Sequence, residues 1–255
     1  MKPTNIISLI KYLTYREIAT RYKQSFLGFF WVLLNPVLQM VIMSFVFSSI
    51  IRFSNLGVPY PIFLYAGLLP WIFFTNSLHS STNILIENSA LIKKIYFPRE
   101  VLVVSTILAK VVDFFFMLSV FFLLMIFYQI PFTFYILFFI PIFLLQFIFT
   151  FSLGLFLSWT NLFYRDIQYL VNLLLTLWFY LTPVIYPVEF FPEKYRFIFK
   201  LNPLSIFINA YRQILLGGDF PKWESLSIAT FLSTIFFIIS YFIFKKMEKN
   251  LADIV

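Results

Sequence analysis

The sequence predicts an all-α integral membrane protein: six transmembrane helices, an N-terminal amphipathic interface helix, and two short external helices between spans five and six, with both termini cytoplasmic. Three observations carry that prediction. The chain is 61% hydrophobic and only 12% charged, about half the charged fraction of a soluble domain. Its 38 Phe in 255 residues exceed what a soluble core could hide. Its apolar runs are long enough for membrane helices, which need about 17–25 residues, and too long and continuous for barrel strands.

The elements follow in order as one domain, 1–255. Residues 1–26 form a cytoplasmic interface helix, because Ile6, Leu9, Ile10 and Leu13 recur at helical spacing while Lys11, Arg16, Arg21 and Lys23 supply charge. The spans are 30–51, 61–83, 101–128, 132–160, 167–186 and 226–244. In the first, Pro36 removes an amide donor, and Asn35 is placed to compensate the freed carbonyl. The basic residues set orientation. Lys2, Lys11, Arg16, Arg21 and Lys23 precede the first span; Lys93, Lys94 and Arg99 follow the second; Arg165 follows the fourth; Lys245, Lys246 and Lys249 end the chain. The loops "FSNLGVPYP" and "QIPF" carry none. One segment disagrees: Lys194, Arg196, Lys200, Arg212 and Lys222 fall in 187–222, which the alternation of spans puts outside.

That outer segment reads as two short helices. Pro192 suits a first helical position, Asn202 is an N-cap followed by Pro203, and Gly217-Gly218 is a stop. Leu204, Phe207, Ile208, Tyr211 and Leu215 share one face. A helix lying flat at the interface and a re-entrant pair plugging a pore both fit this pattern.

Several chemistries are excluded. Cys is absent and His79 is the one histidine, so thiolate chemistry and a His/Cys metal site are not expected. His79 reads as structural, among the polar residues of 75–83. There is no GxxxxGK[ST] pattern, so the chain does not hydrolyse ATP itself. Lys110 and Asp113, one turn apart in the third span, read as a structural ion pair. A conduit without an engine needs a partner to supply energy. The charged stretch 86–100, "IENSALIKKIYFPRE", is the expected contact, as a short helix from Asn88 to Tyr96 closed by Pro98.

Five blocks carry a resemblance over nearly the whole chain: "RYKQSFLGFFWVLLNP", "YAGLLPWIFFTNSLHSSTNILIENSALIKKIYFPREVL", "NLFYRDI", "LTPVIYP" and "LNPLSIFINAYRQILLGG". Together they resemble the ABC-2-type polysaccharide export permeases, nearest the O-antigen (Wzm-type) and teichoic-acid exporter transmembrane subunits. The resemblance implies a homodimer in the cell inner membrane with two copies of an ABC ATPase subunit, which would hold the ATP and Mg. No cofactor is expected in this chain, nor any metal or nucleic-acid partner. The implied substrate is a glycan on an undecaprenyl-diphosphate carrier. The implied ATPase-docking residues are Glu87, Lys93, Lys94, Tyr96, Phe97, Pro98, Arg99 and Glu100; the resemblance also favours the re-entrant reading of the two short external helices, and the implied external gate comprises Pro183, Pro187, Pro192, Asn202, Pro203, Tyr211 and Arg212. Val101–Val104 lack a proline common in relatives, so the third span should start straight.

Two further sets rest on residue chemistry. Sugar rings stack on aromatics, which makes Phe29, Phe30, Trp31, Trp178, Phe179 and Tyr180 candidate pore lining. Arg16, Arg21 and Lys23 have the charge and depth to meet the lipid diphosphate. The rival readings are an ABC-2 permease for a drug or small lipid, an ATPase-independent secondary carrier, and a membrane scaffold.

Overall fold

A computed structural model describes residues 3–22, 28, 30–50 and 57–248. Lys23 and Phe29 lie outside the described residues. Ten α-helices and no strand occur among the described residues: α1 Pro3–Tyr22, α2 Phe30–Ile50, α3 Tyr60–Glu87, α4 Ser89–Lys94, α5 Glu100–Phe127, α6 Phe139–Phe163, α7 Ile167–Tyr180, α8 Arg196–Leu201, α9 Pro203–Arg212 and α10 Trp223–Glu248. Five of these, α2, α3, α5, α6 and α10, are long and apolar enough to cross a membrane.

The fifth predicted segment differs. Its helix α7 has 14 residues, about 21 Å at 1.5 Å per residue, short of a hydrocarbon core of about 30 Å. Pro183 explains the stop: it lacks an amide donor and pushes Thr182 out of helical geometry. The fourth segment also starts later, with a 3₁₀ turn at Phe134–Phe138 before α6. The third starts without a break at Glu100, as the missing proline predicts.

Helix α3 is the spine. Its apolar stretch is 78% buried, against 17% for α2 and for α10, and it packs on α2, α5, α6, α7 and α9. Small residues let α6 approach closely: a Cβ on Gly154 would lie 3.1 Å from Ser81 Oγ. Pro70 interrupts α3, and Gln146 of α6 donates to its carbonyl at 2.8 Å. The other amide atom of Gln146 accepts from Tyr211 of α9 at 2.9 Å. One buried side chain thus ties α3, α6 and α9. Helix α2, by contrast, leaves Phe30, Leu34, Leu38, Val41, Ile42 and Phe45 exposed as one helical stripe.

The two ends of the bundle differ. One holds α4 and the last turn of α10, where Glu248 accepts from Arg99 N at 2.9 Å. The other holds α8, α9 and the start of α10. Helix α1 lies along α5 at the α4 end and buries Leu13, with Ile6, Leu9 and Ile10 partly covered. The predicted apolar face therefore packs on protein.

Candidate functional site: a polar groove, a tip and a buried arginine

Between α2, α3 and α7 lies a cavity of about 390 Å³. Its polar lining is Asn35 and Gln39 from α2, Thr75, Asn76 and His79 from α3, and Asn172 and Thr176 from α7. Trp71, Phe179 and Tyr180 supply ring faces. A cavity of about 280 Å³ shares Asn35, Ile72 and Asn76 with it and reaches Arg21, Trp31, Lys110 and Asp113. A third, about 200 Å³, shares His79 and Asn172 and adds Asn83 and Gln168. The three adjoin as one polar track. From Leu68 to Asn83 it follows α3 for roughly 22 Å.

The track was missed by aromatic reasoning, yet the sequence holds its signal. Asn35/Gln39, Gln168/Asn172 and Asn172/Thr176 are i, i+4 pairs of neutral polar residues in apolar helices, which places each pair on one face. Asn35 Oδ1 accepts from Gln39 at 3.5 Å and faces the cavity, rather than compensating Pro36. Of the aromatic candidates, Phe179 and Tyr180 line the main cavity and Trp31 the adjoining one. Phe30 is exposed and lines none of the cavities described here. Trp178 turns the other way: it packs edge-on against Phe74 at 5.5 Å and donates to Asn202 Oδ1 at 3.2 Å, so it braces α9.

The predicted diphosphate arginines are engaged within the protein. Arg16 donates to Asn88 Oδ1 at 2.6 Å and so ties α1 to the α3–α4 joint. Arg21 pairs with Asp113, so the carboxylate expected to pair with Lys110 is held from α1. Lys110 makes no ion pair within 4 Å among the described residues, and it faces the cavity between them.

At the α4 tip, Glu87, Lys93, Lys94 and Tyr96 are exposed, Tyr96 at 86%. Pro98 is half-buried, and Phe97 and Arg99 are buried. Glu100 accepts from Lys245 at 2.7 Å, and Lys245 also meets Glu248 at 2.9 Å. Of the expected docking residues, Phe97 and Arg99 are thus turned into the protein and Glu100 is held by Lys245. Arg99 and Glu100 anchor the segment to α10, because α5 starts at Glu100 beneath the last turn of α10. The predicted helix Asn88–Tyr96 is the shorter α4, after which Ile95 is extended.

At the other end the gate residues converge. Asn202 caps α9, accepting from Leu204 N at 3.1 Å, with Pro203 at the first helical position. The face Leu204, Phe207, Ile208, Tyr211 and Leu215 is buried. Helix α9 continues as a π turn, Gln213–Gly217, and ends at Gly218 with φ 65°. Pro192 is exposed and precedes a 3₁₀ turn, Glu193–Tyr195. Arg212 is buried and donates to the carbonyls of Pro183 and Val184, both at 2.6 Å, and of Phe63 at 3.3 Å. Its guanidinium stacks 3.6 Å from the Phe63 ring centre. Tyr60 O–H donates to Ile185 O at 2.8 Å. Carbonyls exposed by the end of α7 are thus satisfied, which lets irregular backbone lie within the protein. Pro187 is buried at the rim of a neighbouring cavity. Among the described residues no group of three His, Cys, Asp or Glu could hold a metal.

Residues 8–216 match the model of the ABC-2 type transporter family. The chain is 33% identical to an O-antigen export system permease protein RfbA of Klebsiella pneumoniae, covering 98% of this chain and 95% of that one. It is 31% identical to a protein of the same name from Myxococcus xanthus, over 97% and 94%. It is 22% identical to the polysialic acid transport protein KpsM of Escherichia coli, over 94% and 93%. With its apolar spanning helices and its near full-length likeness to these permeases, the chain belongs to the ABC-2 type transporter family.

Proposed function

We propose that the chain is the transmembrane permease subunit of an ATP-driven exporter that moves an O-antigen-type polysaccharide on an undecaprenyl-diphosphate carrier. The observation that carries this reading is the polar track between α2, α3 and α7. Its main cavity is lined by neutral hydrogen-bonding side chains and aromatic faces and by no Asp, Glu, Lys or Arg. Hydroxyl-rich sugar rings bind through such groups. A secondary carrier would instead be expected to place carboxylates along its path.

In this reading α7 and the segment 181–186, buried at 182–185, complete a sixth crossing, both termini are cytoplasmic, and α8 and α9 form the external gate. Two copies pair in the inner membrane, closing the open side of the track between them. Two copies of an ABC ATPase, which bind ATP and Mg, press on Lys93, Lys94 and Tyr96. The Arg16–Asn88 bond passes that push to α1, and the Lys245 pairs pass it to α10. Arg21 and Lys110 set the positive end of the track, where the carrier diphosphate enters.

The test is Asn76→Leu with Asn172→Leu. The complex should still copurify with its ATPase while glycan ceases to reach the cell exterior. Export at the unmodified rate would remove the track as the path.

A further inference from the structure

Four of the five basic residues that disagree with the orientation rule share a cavity. About 340 Å³ in volume, it opens at the end of the bundle opposite α4, between α8, α9 and the start of α10. Arg196, Lys200, Arg212 and Lys222 line it together with one acid, Glu189. Asn209, Gln213 and Ser225 add neutral donors, and Phe63, Phe199 and Ile206 form an apolar floor.

The cations divide by how they are used. Arg212 is saturated by carbonyls. Arg196 donates to the carbonyls of Phe191 at 2.9 Å and Glu189 at 3.0 Å, which fixes the rim. Lys200 and Lys222 are exposed and make no ion pair among the described residues. Backbone geometry holds both in place: Lys200 sits in the last turn of α8, and the Lys222 carbonyl accepts from Ser225 N at 3.0 Å and Leu226 N at 3.2 Å at the start of α10. Two lysines lining one cavity with apolar side chains and with amide and hydroxyl donors match a phosphate that carries an apolar chain.

We infer that this cavity is a binding site for the phosphate headgroup of a membrane lipid. Its place in the outer leaflet rests on the topology proposed above; the binding does not, and it requires no transport. It also explains why cations persist on a face where the charge rule disfavours them.

The probes are phosphatidylglycerol and a short-chain polyprenyl diphosphate, titrated against the full-length protein in phosphatidylcholine nanodiscs and read by native mass spectrometry. Lys200→Gln with Lys222→Gln should weaken phosphatidylglycerol binding by roughly thirtyfold, from two cations near an anionic headgroup. Lys194→Gln is the control, because Lys194 lies over the Tyr195 ring outside the cavity and should leave binding unchanged. Glu189→Gln should tighten it. A loss confined to phosphatidylglycerol identifies bulk lipid as the occupant; an equal or larger loss for the diphosphate identifies the carrier; either supports the site. Unchanged binding of both probes, or a loss in Lys194→Gln matching that of the double variant, overturns it.

Discussion

Replacing Arg212 with Met should loosen the α8–α9 end of the bundle without touching the polar track. The side chain makes two short bonds, to Pro183 O and Val184 O, one longer bond to Phe63 O, and a ring contact. Hydrogen bonds from a charged group contribute about 1.5–3 kcal/mol each. Removing the guanidinium also removes the cost of burying it, which offsets part of the loss. The balance is a destabilisation of about 3 kcal/mol, because the Pro183 and Val184 carbonyls just past α7 are left without their donor. At about 2–4 °C per kcal/mol for a chain of this size, the melting temperature should fall by roughly 6–12 °C. Arg212→Lys should fall between, since one ammonium cannot fork across all three carbonyls. The chain has no native Cys, so Val184→Cys gives a background-free reporter. It is fully buried and should react slowly with an impermeant maleimide, then several-fold faster when Arg212→Met is added. An unchanged melting temperature together with unchanged labelling would refute the role given to Arg212.

Other outcomes follow from the same contacts. Gly67→Ala should mimic Arg212→Met, because a Cβ there would lie 2.6 Å from Arg212 Nη2 and 2.8 Å from Val184 O; thermal melts check it, and wild-type stability would contradict it. Trp178→Ala should lower stability by about 3 kcal/mol or more while the surviving folded complex still exports, whereas Tyr180→Ala should slow export at unchanged stability. Asp113→Asn should loosen α1 from α5 by removing the partner of Arg21, read as faster hydrogen exchange across 9–22. Glu100→Gln should leave ATPase binding intact but reduce its coupling to export, because Glu100 is held by Lys245 and not presented outward.

How much of this was legible depended on how local each cause is. The spans were visible because a bilayer demands uninterrupted apolar length, and Asn202-Pro203 and Gly218 were visible because caps and stops are set by neighbouring residues. The end of α7 was also written locally, in Thr182-Pro183, but composition alone ran the apolar stretch on to Tyr186. The direction of Trp178 was not legible: Phe74 and Phe149, which it packs on, lie on other helices, and Asn202, which it bonds, caps another. Arg99 and Glu100 looked like surface charges because Lys245 and Glu248 sit far along the chain. The polar track lay between these cases. Its i, i+4 amides were in view, and only the meeting of α2, α3 and α7 showed that they face one space.

The central claim is that a path without its own engine is driven from the α4 tip. Site-specific cross-linking from Tyr96 in intact membranes, with a photoreactive residue in place of the exposed ring, tests it most directly. The expected result is a covalent adduct with the ATPase subunit whose yield changes on addition of nucleotide. Labelling of that position by an impermeant reagent from the cell exterior, with no ATPase adduct, would contradict it.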